Sequence, residues 1–362
     1  MNNAESKRSA NLDGIRGFAA LIVVFHHTSL TNQWFADRVG VQPQAIKGSF
    51  NGGLHGLLTY TPLHFLFAGT EAVVVFFVLS GFVLVNAIKK QYQLGYVLSR
   101  FVRLYVPILG AVILAYILSL IVQRNPNNYP SWLMNAHAAK FGFSDFVRNA
   151  LVIDGTNWLN SSLWSMRYEI LFSLLVLIFI NRKFEKSIQK FIIYFGITLI
   201  SMAIFMHFGF DILAWLPAFI CGTLLWFLVP LKRHAGKVLV LGILLILIPW
   251  YLAGFGYSLG AIFNRVVMVF GAVLIVHAAR GNSLLMNKVL SGKLGNTLST
   301  YSYSLYLVHA PVLVTVFFLL GPVSSHISFF RHVLIAYLAI IASTFIVYKY
   351  FEKPALNWIH RN

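Results

Sequence analysis

Read for runs of apolar residues, the chain falls into ten stretches, at about 12–30, 71–88, 103–122, 162–180, 191–208, 212–230, 237–254, 260–278, 298–320 and 333–351. Each is roughly 17 to 22 residues long, the length a helix needs to cross a hydrocarbon core of about 30 Å. The pattern predicts an all-α polytopic membrane protein, a bundle of about ten transmembrane helices. Most breaks between the runs are short. Two are long, at about 31–70 and 123–161, rich in Asn, Gly and Pro, and are read as outer loops of the kind that carry function. No internal repeat or composition shift divides the sequence, so residues 1–362 are expected to form one integral membrane domain.

Composition agrees with this reading. Of 362 residues 58% are hydrophobic and 10% charged, with a mean hydropathy of +0.75, whereas soluble domains carry roughly 25% charged residues. The net charge of +18 would suggest nucleic acid in a soluble protein, but here the basic residues sit in the breaks between apolar runs, which excludes that partner. With the N-terminus in the cytoplasm, nineteen Lys and Arg fall inside and six outside, the latter being Arg38, Lys47, Arg124, Lys140, Arg148 and Arg331. Such a bias follows the positive-inside rule, and an even number of spans then puts both termini in the cytoplasm. The lone cysteine, Cys221, rules out an intrachain disulfide and a cysteine metal site. The first apolar run has no small-residue cleavage site after it and holds ionisable residues, so it is expected to remain in the mature chain.

That first run carries Asp13, Arg16, His26 and His27. On a helix His27 lies about 20° from Arg16 around the axis and ~16 Å along it, and His26 lies about 80° off that line. A guanidinium near one interface and an imidazole near mid-bilayer suit a ligand with an anionic head and a long arm. Equally, Arg16 could reach the headgroups while the histidines pack in the core. Counting ~1.5 Å per residue, His27, His309, Glu169 and Arg265 fall at similar depths, about 15 to 22 Å from the inner edge, which points to one hydrated cavity. There His27 can act as a general base with Glu169 orienting it; alternatively Glu169 pairs with Arg167 or Arg265. His309 is expected to contact substrate or hydrogen-bond between helices. Arg100 and Arg103, three apart at the entrance to the third helix, share a face and suit phosphate. No residue spacing indicates a metal site. The string Gly256 to Gly260 fits a GxSxG pattern but lies in a tight turn between apolar helices, where that motif has no meaning.

Five strings in order resemble the acyltransferase-3 family of integral membrane acyltransferases. They are L-D-G-I-R-G-F-A-A-L-I-V-V-F-H-H with Arg16 and His27, G-T-E-A-V-V-V-F-F-V-L-S-G-F, R-F-V-R-L-Y-V-P with Arg100 and Arg103, S-L-W-S-M-R-Y-E ending in Glu169, and Y-S-Y-S-L-Y-L-V-H-A-P with His309. The resemblance implies O-acyl transfer, commonly of acetyl from acetyl-CoA or another acyl-CoA, to a hydroxyl of an extracytoplasmic or lipid-linked carbohydrate. It implies His27 and Glu169 as catalytic groups and Arg16, Arg100 and Arg103 as the CoA-phosphate site; His309, Trp164 and, from its depth alone, Arg265 are expected to contact the acceptor. A bacterial inner membrane is the expected location. The chain lacks the C-terminal hydrolase-like domain of the family's longer members, so a separate extracytoplasmic transferase is a possible partner. A proton-coupled transporter or lipid flippase would use the same buried charges, although neither inverted repeats nor paired broken helices are seen.

Overall fold

The computed structural model describes residues 3–32, 53–90, 93–124, 131–153, 158–179, 187–231, 233–257, 260–281 and 283–361. Among them there is no strand. The helices are α1 (Asn3–Leu30), α2 (Gly53–Tyr60), α3 (Gly69–Lys90), α4 (Gln93–Ile121), α5 (Trp132–Ala136), α6 (Phe143–Ala150), α7 (Leu163–Phe179) and α8 (Ile188–His207). They continue as α9 (Asp211–Leu224), α10 (Ala235–Gly254), α11 (Ala261–Ala279), α12 (Leu284–Leu290), α13 (Lys293–Leu320), α14 (His326–Val347) and α15 (Lys353–Arg361).

Every expected apolar window carries a helix. Among the described residues six helical stretches are long and apolar enough to cross a membrane: Gly95–Ile121, Ile188–His207, Ala235–Gly254, Ala261–Ala279, Lys293–Leu320 and His326–Ile359. Gly69–Val85 and Leu213–Phe227 are shorter apolar helices. The two stretches read as loops are partly helical instead, holding α2 with a 3₁₀ turn at Pro62–Phe67, and α5 with α6. In α6 the apolar positions Phe143, Phe146, Val147 and Ala150 recur at helical spacing over only eight residues, too few to register in a search for spans. Lys47 and Lys186, which the expected topology places on opposite sides, and Ser258 of the GxSxG string lie outside the described residues.

The chain forms two compact units. One comprises residues 1–22, 42–96 and 171–300, the other 23–41, 97–170 and 301–362. In the first, α3 packs on α9 and α10 on α11 through glycines. A Cβ on Gly81 would meet the Phe219 carbonyl oxygen at 1.9 Å, and one on Gly222 that of Val78 at 2.0 Å. Gly242 and Gly271 approach each other's carbonyls the same way, at 2.8 and 2.7 Å. Close backbone approach of this kind replaces the hydrophobic drive that lipid removes. Arg280, which the charge count treats as a flanking residue, is buried: it donates to the carbonyls of Leu225 and Leu228 at 2.6 and 2.9 Å. It thus gives the Leu228 carbonyl a donor and adds a second one to the Leu225 carbonyl, which already accepts the Leu228 backbone N–H at 3.1 Å.

In the second unit two helices carry internal prolines, Pro107 in α4 and Pro311 in α13. A proline has no N–H to give the carbonyl four residues back. For Pro311 that carbonyl is Leu307, and the Asn160 side-chain amide donates to it at 2.9 Å. Near Pro107, the Leu104 carbonyl accepts from the Tyr303 hydroxyl at 3.0 Å. The unit's last long helix changes to a π-helical turn at Tyr348–Glu352. A Cβ on Gly110 would meet the Phe351 ring at 2.5 Å, so only glycine lets that ring sit against α4, and the next residue, Glu352, is buried.

Candidate active site

The last turn of α1 and the middle of α13 bring two imidazoles together. His309 is buried, and its Nδ1 lies 2.7 Å from the Tyr306 carbonyl and 3.3 Å from that of Leu305. A carbonyl oxygen only accepts, so Nδ1 carries the hydrogen and Nε2 presents a lone pair. Nδ1 of His27 stands 2.9 Å from that lone pair and 3.1 Å from the Val23 carbonyl, so it donates to both. One tautomer assignment thus satisfies all four contacts and leaves Nε2 of the half-buried His27 as a lone pair with no hydrogen-bond partner among the described residues. The His26 ring stands edge-on to His27, with centroids 5.5 Å apart.

Tyr303, Tyr306 and His309 recur at spacing three and share one face of α13. The Tyr306 hydroxyl and Ser165 Oγ of α7 are 2.6 Å apart and buried. One turn further along α7, Glu169 pairs with the Arg100 guanidinium of α4. The Arg100 side chain is 14% exposed and that of Glu169 10%, so each neutralises a charge the interior would otherwise penalise heavily. Glu352 accepts from the Ser304 backbone N–H at 3.1 Å and from its hydroxyl at 2.5 Å. Arg100, Arg103, Glu169 and Glu352 all lie within electrostatic range of Tyr303. Arg103 is exposed.

Beyond α1 the short α5 is tied down by Ser131, whose hydroxyl donates to the Leu30 carbonyl. At the end of α5 lies His137, buried and within electrostatic range of His27. Its Nδ1 is 2.8 Å from the Leu133 carbonyl and its Nε2 3.1 Å from Ser161 Oγ. Burial and the nearby Arg124 guanidinium hold His137 down to about 4, so it is neutral at working pH. Arg124, pushed down to about 10 by burial, donates to the His137 carbonyl at 3.1 Å and to Thr315 Oγ1 at 3.3 Å.

Of the residues the sequence singles out, His27, His309, Glu169, Arg100, Arg103 and Trp164 belong to one compact unit. Arg16 and Arg265 belong to the other, where Arg16 pairs with Asp13 at 2.8 Å and Arg265 lies over the Trp215 ring at 3.9 Å. Trp164 makes an edge contact with Tyr168 at 6.0 Å. The expected partnership of Glu169 with His27 is replaced by Arg100–Glu169 and His27–His309. Sequence reasoning did not single out Tyr303, Tyr306, His137, Ser161 or Glu352. Only the tyrosines had a readable signal, the spacing of three that ends at His309. Among the described residues no group of three or more His, Cys, Asp or Glu could hold a metal.

Residues 9–349 match a family model described as an acyltransferase domain. The chain belongs to the acyltransferase-3 family. No curated protein and no solved structure matches it. With its apolar helices, family membership makes this a membrane acyltransferase, and the imidazole pair lies within the span of the match.

Proposed function

We propose that the protein is an O-acyltransferase that moves acetyl from cytoplasmic acetyl-CoA to a hydroxyl of an extracytoplasmic or lipid-linked carbohydrate. The observation that supports this reading is the bare Nε2 of His27, backed on its other nitrogen by His309. In the reaction, Nε2 takes the acceptor's hydroxyl proton while the oxygen attacks the thioester carbonyl. The carbon–sulfur bond breaks, and the proton passes from the imidazolium to the leaving thiolate. The imidazolium formed in between keeps its Nδ1–H on His309, which is itself fixed by the Tyr306 carbonyl.

Arg100 and Arg103 suit the CoA phosphates. Arg103 is exposed, and Arg100, while paired with Glu169, has a buried Nε with no hydrogen-bond partner. Glu169 would hold Arg100 in place. Tyr303, within electrostatic range of these arginines, lies six positions before His309, a rise of about 9 Å, well within the reach of a pantetheine arm. This proposal draws on one compact unit and leaves Arg16 and Arg265 outside it.

The test is thiol release from acetyl-CoA by the purified protein in vesicles, followed with a thiol reagent. The expected result is release that depends on His27. Proton-coupled solute flux without thiol release would replace the acyltransferase reading with transport.

A further inference from the structure

The ring contacts of α5 and of the segment before α7 form a corner that no step above uses. Trp132, 39% exposed, has its ring centroid 6.2 Å from that of Trp158, with planes at 74°. His137 meets Trp158 at 5.2 Å and 67°. Two aromatic walls thus stand nearly perpendicular, one with its side chain open to solvent. The polar group beside them is Ser161, and its hydrogen-bond state can be worked out. Since His137 Nδ1 faces a carbonyl, Nδ1 carries the hydrogen and Nε2 accepts the Ser161 hydroxyl proton. With its only hydrogen engaged, Ser161 Oγ offers lone pairs alone, and what it binds must bring a donor. His137 remains neutral down to about pH 4, which keeps this polarity fixed.

A ligand that suits an aromatic corner with an acceptor-only oxygen has an apolar face and a rim of hydroxyl donors. A pyranose ring has both, its C–H face for indole and its hydroxyls for Ser161. We propose that Trp132, Trp158, His137 and Ser161 form the acceptor subsite, binding a pyranose ring next to His27. His137 lies within electrostatic range of His27, which puts the corner and the base in one neighbourhood of the same compact unit. The corner itself is argued from its own contacts; only the statement that a bound hydroxyl is acylated rests on the acyltransferase reading.

The experiment is saturation-transfer NMR on the full chain in nanodiscs, with the methyl glycosides of glucose, galactose, mannose and N-acetylglucosamine as probes. At least one glycoside should show ring-proton contact with wild type. That contact should fall at least fivefold in Trp158→Ala and in Ser161→Ala, and return in part in Trp158→Phe. Where Trp158→Ala fails to elute as a single species, Trp132→Ala at its exposed position carries the test. No contact by any of the four probes, or contact that survives in both alanine variants, overturns the subsite and makes the tryptophans interfacial anchors. Thiol release is measured alongside on wild type. Glycoside contact without release sinks the acyltransferase reading and keeps the subsite, and release without contact does the reverse.

Discussion

Nδ1 of His27 and Nε2 of His309 stand 2.9 Å apart across two helices 282 positions apart in sequence, one donating and the other accepting. A base held this way has its tautomer set from behind. His27→Ala should lower thiol release by about 10² to 10⁴-fold, the usual contribution of a general base, while leaving folded yield near normal. His309→Gln can present an amide oxygen near the position of Nε2, so it should keep more activity than His309→Leu, which offers no acceptor. The KM for acetyl-CoA should change little in either. Equal turnover in His309→Gln and His309→Leu, each eluting as a single species, would show that His309 only fills space.

The two arginines of α4 should separate experimentally. Arg100→Ala leaves Glu169, 7% exposed, with a buried carboxylate and no guanidinium, a change of the class that costs about 3 to 5 kcal/mol. Its folded yield and melting temperature should drop, with partial recovery in the double variant Arg100→Ala/Glu169→Gln. Arg103→Ala, at an exposed position, should fold normally and weaken acetyl-CoA binding, measured by titration calorimetry. Unchanged affinity in Arg103→Ala would remove it from the phosphate site.

His137 gives a pH dependence with a definite sign. His137 is neutral in the folded protein down to about 4, while in the unfolded chain it takes a proton near 6.5. The unfolded state therefore binds more protons between these values, and stability is lost as pH falls from 6.5 toward 4. A shift from 6.5 to about 4 sets an upper limit of about 3 kcal/mol at ~1.36 kcal/mol per pH unit. Melting curves of wild type and His137→Gln at pH 7 and at pH 5 measure it: any stability advantage of wild type should shrink at the lower pH. A gap that widens instead would reverse the assigned protonation.

Orientation can be read from cysteines placed on a Cys221→Ala background. The nineteen-to-six division of basic residues predicts that Lys140→Cys reacts with an impermeant maleimide on intact cells and Lys353→Cys does not. The opposite labelling would invert the expected topology.

The positions of the helices were legible because each buries or exposes a long apolar run, and every window holds one. The chemistry-bearing residues were legible as types, since a histidine or carboxylate within an apolar run has few ordinary explanations. Their pairing was not. Helical phase relates Arg16 to His27 on one helix, but nothing in one sequence gives the rotation of α7 against α4 that brings Glu169 to Arg100. Glu352 escaped notice because it falls one residue past the last apolar window and is turned inward by a π-helical turn. His137 and Ser161 escaped because loop residues 24 apart follow no period.

Pro311 leaves the Leu307 carbonyl open, and the Asn160 amide closes it from 147 positions earlier in the chain. During synthesis from the N-terminus, residue 160 emerges long before α13. The amide that completes the helix is therefore made before the helix needs it, and α13 need not settle in lipid with an unanswered carbonyl at mid-span, which would cost several kcal/mol. A chain with residues 301–362 moved ahead of residue 160 would have to carry that open bond until its partner arrived, so the order of the sequence is itself part of how the imidazole two residues beyond Leu307 comes to be held.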